Sequence, residues 1–194
     1  MPLILQLASR SPRRAELLRQ LGVKFVIVDV DVDETAAAGE TPLAYVARLA
    51  RAKALAGQTR VAGVGAVLAA DTTVTIDGLI FGKPADEIDA RAMLSRLSGR
   101  WHEVHTAIAL AQAVAVAVKV VTTRVQFRNL DQATVNDYWC SGEPGDKAGA
   151  YAIQGLGGGF VRRIEGSYSA VVGLPLCETL ELLEQAGIGH ALRR

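Results

Sequence analysis

Leu3-Ile4-Leu5-Gln6-Leu7-Ala8-Ser9-Arg10-Ser11-Pro12-Arg13-Arg14-Ala15-Glu16-Leu17-Leu18 is the stretch whose reading decides the fold. A β-compatible apolar run stops at small polar residues, and Ser11-Pro12 then reads as an N-cap followed by Pro at the first helical position. A strand passes directly into a helix. That helix carries Leu17, Leu18 and Leu21 on one side and stops at Gly22, the residue type suited to a left-handed C-terminal stop. Its first turn breaks a rule, because a helix N-terminus favours Asp or Glu and this one holds Arg13 and Arg14, with Arg10 just before. Free backbone N–H groups and guanidinium forks aimed at one place suit an anion such as phosphate. Solvated arginines on an exposed first turn are the simpler alternative.

The chain is 194 residues long, enough for one domain with a sizeable core, and half its residues are hydrophobic with only 5% aromatic. Such a core rests on Val, Leu, Ile and Ala and suits a sheet flanked by helices. A formal net charge of +1 argues against a general nucleic-acid or membrane surface, so any phosphate site is local. Cys140 and Cys177 lack metal-ligand spacing, which points to a reducing compartment. The start has no signal-peptide layout, and the expectation is a cytoplasmic protein. The most apolar stretch, Ala107 to Val118, is interrupted by Gln112 and falls short of the about 20 residues that span a bilayer.

Beyond the first helix, Phe25 to Val30 reads as a strand that runs into Asp31-Val32-Asp33-Glu34-Thr35. This acidic run fits either a solvated edge or the oxygen ligands of a hard divalent cation. Thr41-Pro42 caps a helix to about Ala56, with Leu43, Val46, Ala47, Ala50 and Ala54 at helical spacing and Arg48, Arg51 and Lys53 on its flanks. A loop is expected from Gly57 to Gly65. Ala66 to Ala70 reads as a buried strand ending at Asp71-Thr72-Thr73, and the carboxyl ends of such strands face the ligand crevice of α/β sheets. Thr73 to Ile76, Asp77-Gly78 and Leu79 to Phe81 form a hairpin signal that delivers Gly82-Lys83-Pro84 beside Asp71.

Helices are expected over Asp86 to Leu97, over Asp131 to Cys140 and from Pro175 to Gly187. Trp101 to Leu110 and Val114 to Phe127 read as a long hairpin around Gln112. His102 and His105 lie an odd number of residues apart, which places them on opposite strand faces and disfavours a metal pair. Ser141 to Gly155 is long, polar and glycine-rich, and loops of this length without structure of their own are functional or disordered. Gly155-Leu156-Gly157-Gly158-Gly159 lacks the strand and helix context of a nucleotide-binding motif and reads as a turn before a strand from Phe160 to Ile164.

Taken together, Ala8 to Arg14, Asp33-Glu34-Thr35, Lys53, Ala70-Asp71-Thr72, Gly82-Lys83-Pro84, Ser141 to Gly155 and Val172 to Leu176 match one family in order and spacing. The sequence resembles the Maf family of nucleoside triphosphate pyrophosphatases over nearly its whole length. Ser-Gly-Glu-Pro, Asp-Lys-Ala-Gly-Ala-Tyr and Ile-Gln-Gly, found here between Ser141 and Gly155, resemble the branch that acts on dTTP and UTP. Ala152 stands where that branch is expected to carry Gly.

The resemblance implies a single Maf-like domain over residues 1–194, an α/β fold of the Maf/ITPase-like kind with a mixed twisted sheet and two lobes around a cleft, and a homodimer. It also implies hydrolysis of a nucleoside triphosphate to monophosphate and pyrophosphate with Mg²⁺ or Mn²⁺, a role in removing unwanted pyrimidine triphosphates, and a link to cell division. Asp71 matches the proton acceptor, and Arg13, Thr72 and Gln154 match positions that set base specificity. The residues agree with that chemistry: Glu34 and Asp71 suit a metal or the attacking water, while Arg13, Lys53 and Lys83 suit the triphosphate, with Ser9 and Arg14 beside them. A nucleotidyltransferase, which needs an acceptor other than water, and a non-catalytic nucleotide sensor are the competing readings.

Overall fold

The computed structural model describes residues 4–60 and 65–192. Leu3, at the head of the deciding stretch, and the terminal basic pair lie outside those residues. The described chain separates into two compact units, each assembled from non-contiguous segments. One comprises Met1–Asp71, Thr106–Val121 and Gly173–Arg194, and the other Thr72–His105 and Thr122–Val172. None of the described helices is long and apolar enough to cross a membrane.

Strand β1 (Leu5–Leu7) leads into helix α1 (Pro12–Gln20). Ser11 is the N-cap, its hydroxyl accepting from the Arg14 N–H, and Pro12 opens the helix. Leu17 and Leu18 are buried, and Gly22 takes φ +67° just past the end, the left-handed geometry an L side chain adopts only with strain. Strand β2 is confined to Phe25–Ile27 and pairs in parallel with β1. Helix α2 (Pro42–Arg60) runs four residues beyond its expected end, so the first part of the expected Gly57 to Gly65 loop is helical, and 61–64 lie outside the described residues. Gly57 does not stop the helix. A Cβ there would stand 2.7 Å from Val67 Cγ1 and 3.2 Å from Ala8 Cβ, so this glycine lets α2 approach the sheet closely. Leu43 is on the outer side of α2, 48% exposed.

Strand β3 spans Ala66–Ile76 without a break. The polar triplet Asp71-Thr72-Thr73 does not end it, and buried hydroxyl groups along β3 find partners: Thr73 Oγ1 donates to the Phe81 carbonyl at 3.3 Å, and Thr75 Oγ1, two residues on, bonds His105 Nε2 at 3.0 Å. Buried polar groups are tolerated on that condition. Strand β4 (Leu79–Phe81) returns antiparallel through Asp77 and Gly78, both at positive φ. Helix α3 (Glu87–Leu97) has Asp86 as its cap. Strands β5 (Trp101–Gln112) and β6 (Ala115–Phe127) form the long hairpin, turning at Ala113. Helix α4 (Gln132–Cys140), strand β7 (Val161–Glu165), a short helix α5 (Tyr168–Val172) and helix α6 (Leu176–Gln185) complete the chain.

The result is a seven-stranded mixed sheet in the order β2-β1-β3-β5-β6-β7, with β4 paired to β3. The first unit contains a seam of small residues, Ala8, Ala50, Ala54, Ala69, Ala107, Ala109 and Ala111, with Val46 and Val67. The core of the second is also mainly aliphatic, with Leu94, Leu97, Val104 and Val125 buried, and it adds an aromatic cluster. Phe127 packs edge-on to His102, Tyr151 and Phe160, and Phe160 does the same to Tyr138. Ring pairs of this geometry contribute about 0.5–1.5 kcal/mol each beyond area burial. Ser141 to Gly155 is not a loose polar loop either: Pro144 and Gly149 to Ile153 are buried, and two short 3-10 turns occupy Pro144–Asp146 and Ala148–Ala150.

Candidate active site

Where β1 ends, Ala8 N–H donates to the Leu68 carbonyl at 2.8 Å, and the chain turns through Ser9 into α1. β3 continues past its pairing with β1 and presents Asp71 three residues beyond Leu68. From the other side, α2 brings in Lys53. Its Nζ lies 2.7 Å from Asp71 Oδ1 and 2.6 Å from Glu34 Oε1. One ammonium holds two carboxylates.

Asp71 is 7% exposed. Burial pushes its pKa upward, opposed by the charges of Lys53 and Arg14 and by the Lys53 hydrogen bond, while Glu34 adds to the rise. The net direction is up, which makes Asp71 a stronger base than a solvated carboxylate. Arg14 is held at two points, Nε donating to the Gly173 carbonyl at 2.9 Å and Nη1 to Ser9 Oγ at 3.4 Å. Burial lowers its pKa, with Asp71 acting the other way. Arg13, next to it in the first turn of α1, adds repulsion felt by Arg14. This is the local conflict expected of an anion site.

Arg10 does not join them. It pairs with Asp29 at 3.4 Å on an exposed surface. The acidic run also disperses: Asp33 Oδ1 accepts from the Thr35 N–H at 2.9 Å, and of the run only Glu34 reaches Lys53. Among the described residues no group of three or more His, Cys, Asp and Glu side chains converges as a metal cluster.

Tyr45 and Arg48 of α2 matter here although sequence reasoning gave them no role. The Tyr45 hydroxyl donates to the Glu34 carbonyl at 2.9 Å, and Arg48 Nη2 to the Thr35 carbonyl at 3.0 Å. Arg48 also grips both oxygens of Glu40 at 2.7 Å. That fork holds the Glu40 carboxyl down to about 2. Both residues strap the Glu34 segment onto the helix that carries Lys53. Their spacing from Lys53, eight and five positions, was the only available signal.

Thr72, Lys83 and Gln154 belong to the second unit. Lys83 and Gln154 are exposed, and Thr72 is half-buried in β3. Lys83 follows Gly82, whose carbonyl accepts from the Gly149 N–H at 3.0 Å. His102 and His105 have separate partners, Tyr151 for the first and Thr75 with Thr122 for the second.

The geometry thus sets a helix N-terminus that carries Arg13 and Arg14 near the largely buried Lys53–Asp71 pair, which the exposed Glu34 carboxylate joins through Lys53. The sequence model of the family described as "Maf-like protein" matches residues 4–186, and the chain belongs to that family. A protein named dTTP/UTP pyrophosphatase from Methylobacillus flagellatus is 55% identical over 94% of this chain and 92% of its own. Proteins of the same name from Hahella chejuensis, 52% identical over 95% and 92%, and from a Shewanella strain, 54% identical over 95% and 98%, are similar. Among solved structures, a HAM1 protein from Coxiella burnetii is 25% identical, covering 64% of this chain and 73% of its own, with a TM-score of 0.44.

Proposed function

We propose that the protein hydrolyses dTTP and UTP to the nucleoside monophosphate and pyrophosphate. The observation that carries this reading is the Lys53 ammonium between Asp71 and Glu34, in a family whose similar members bear that activity in their names. Water attacking the α-phosphorus must lose a proton while charge grows on the phosphoryl oxygens. Asp71, its pKa raised by burial, takes the proton, and Lys53 keeps the carboxylate oriented. Arg13 and Arg14 at the α1 N-terminus, with the Ser9 hydroxyl, meet phosphate oxygens. Lys83 neutralises charge as pyrophosphate departs.

A divalent metal fits this donor set, because Glu34 and Asp71 offer hard oxygens that already converge on one cation, Lys53. Glu34 and Asp71 would hold Mg²⁺ or Mn²⁺, which supplies charge neutralisation and Lewis acidity at the phosphoryl oxygens when bound. Gln154, with Thr72 and Arg13, reads the base. Its amide donates and accepts, matching the edge shared by uracil and thymine, and a 5-methyl group is hard to exclude strongly. The same reading covers a homodimer that acts on free nucleotides in the cytoplasm, without nucleic acid or membrane as partner; the two cysteines, both free, fit a reducing compartment.

The test is incubation of the purified protein with Mg²⁺ and a panel of dTTP, UTP, GTP and 7-methyl-GTP, quantifying monophosphate and pyrophosphate separately. Both products from dTTP and UTP support the reading. Equal turnover of GTP would overturn the role of Gln154, and binding without release from any triphosphate would turn the protein into a sensor.

A further inference from the structure

Within the second unit, Gln154 occupies the corner of a tight turn closed by Gly155 N–H donating to the Ala152 carbonyl at 3.1 Å. Both ends of that turn are gripped by one pair of side chains from outside it. Glu143 Oε2 accepts from the Leu156 N–H at 3.0 Å, and Oε1 accepts from the Gly157 N–H at 3.0 Å and from the Tyr138 hydroxyl at 2.7 Å. The Tyr138 hydroxyl in turn accepts from the Ala152 N–H at 3.0 Å. A Cβ at Gly155 would overlap the Glu143 carboxylate, and one at Gly157 would stand 2.6 Å from the Tyr138 hydroxyl. The glycines are therefore what allow the two polar groups to close on the backbone.

We infer that Glu143 and Tyr138 are positioning residues that set the enzyme's base selectivity by fixing the Gln154 turn. The inference rests on the reading in which Gln154 meets the base. Burial opposes the charge on Glu143, yet the Gly157 N–H, the Tyr138 hydroxyl, the Leu156 N–H and the nearby Lys147 together keep its pKa below the usual glutamate value. A carboxylate that accepts from three donors holds more firmly than neutral hydrogen bonds do. Tyr138 is fixed in turn, 4% exposed and edge-on to Phe160. Gln154 itself remains exposed at the corner, so its backbone is rigid while its amide is left to a ligand. Such preorganisation lowers the ordering cost of recognition.

Glu143→Gln places an amide NH₂ against an N–H donor, and Tyr138→Phe removes one hydroxyl while keeping the ring. Each is measured in two ways: amide hydrogen exchange at Leu156 and Gly157, and kcat and KM for dTTP, UTP and GTP. Faster exchange is expected, with KM for dTTP and UTP rising about tenfold, the size of one lost charge-assisted hydrogen bond. kcat should stay within about twofold, and GTP should change little, so selectivity falls. In a Gln154→Ala background the same substitutions should have no further effect on KM. Unchanged exchange would overturn the clamp, and faster exchange with selectivity intact would overturn its part in recognition. Failure of the underlying reading shows separately, as a Gln154→Ala variant whose KM values for dTTP, UTP and GTP equal those of the wild type.

Discussion

Lys53 Nζ stands 2.7 Å from Asp71 Oδ1, and the two side chains are only 13% and 10% exposed. A buried ion pair contributes little net stability compared with apolar residues, but breaking it from one side leaves an uncompensated charge. Lys53→Met should therefore destabilise the protein by about 3 kcal/mol in urea titration and abolish turnover. The double variant Lys53→Met with Asp71→Asn should recover most of that stability and none of the activity. Additive losses in the double variant would show that the two groups do not act as a pair.

The raised pKa of Asp71 has opposite consequences for stability and for catalysis. Its folded pKa lies above the unfolded value, so between the two the native state binds more protons, and this group's contribution to stability falls as pH rises through that window. Turnover needs the carboxylate, so kcat/KM rises over the same range. Asp71→Asn should flatten this part of the stability profile and lower kcat by about a thousandfold with the fold intact, within the range for loss of a general base. Urea titrations against pH and a pH-rate profile check both halves; retained activity would remove Asp71 from the mechanism.

Tyr45 and Arg48 tie the backbone at Glu34 and Thr35 to α2. Tyr45→Phe and Arg48→Met should each lower kcat about tenfold through misplacement of Glu34. Melting temperature should move little, because the strap is a surface feature. Equal kcat in both variants would mean that Glu34 needs no such support.

In the second unit His102 is 3% exposed, bonds the Tyr151 hydroxyl at 2.9 Å and has its pKa lowered by burial to about 3. The unfolded chain takes up a proton near pH 6.5 while the native state stays neutral, so stability present above that pH is lost progressively down to about 3. His102→Gln should weaken the acid dependence measured by urea titration between pH 6 and 4. An unchanged slope would assign acid sensitivity to other groups.

Much of this was legible in the sequence because it is local. Ser11-Pro12, Gly22 and Asp77-Gly78 each dictate their own backbone, and all three are found as expected. Lys53 and Asp71 stood out by motif, but their pairing joins a helix to a strand 18 positions away, which no local pattern encodes. The errors have the same origin. Gly57 looked like a terminator because the Val67 and Ala8 side chains that demand a glycine there are distant in the chain. Asp71-Thr72-Thr73 looked like a strand end because the partners of Thr73 and Thr75 come later. Ser141 to Gly155 looked loose because Tyr138 and Glu143 organise it through backbone hydrogen bonds that composition does not reveal.

The central claim is that Asp71 directs water to the α-phosphorus of a pyrimidine nucleoside triphosphate. Turnover of dTTP in ¹⁸O-water, with mass analysis of both products, tests it most directly. The account predicts one ¹⁸O in dTMP and none in pyrophosphate, with product formed about a thousandfold more slowly by Asp71→Asn. Label in the pyrophosphate, which places the attack at the β-phosphorus, would contradict it.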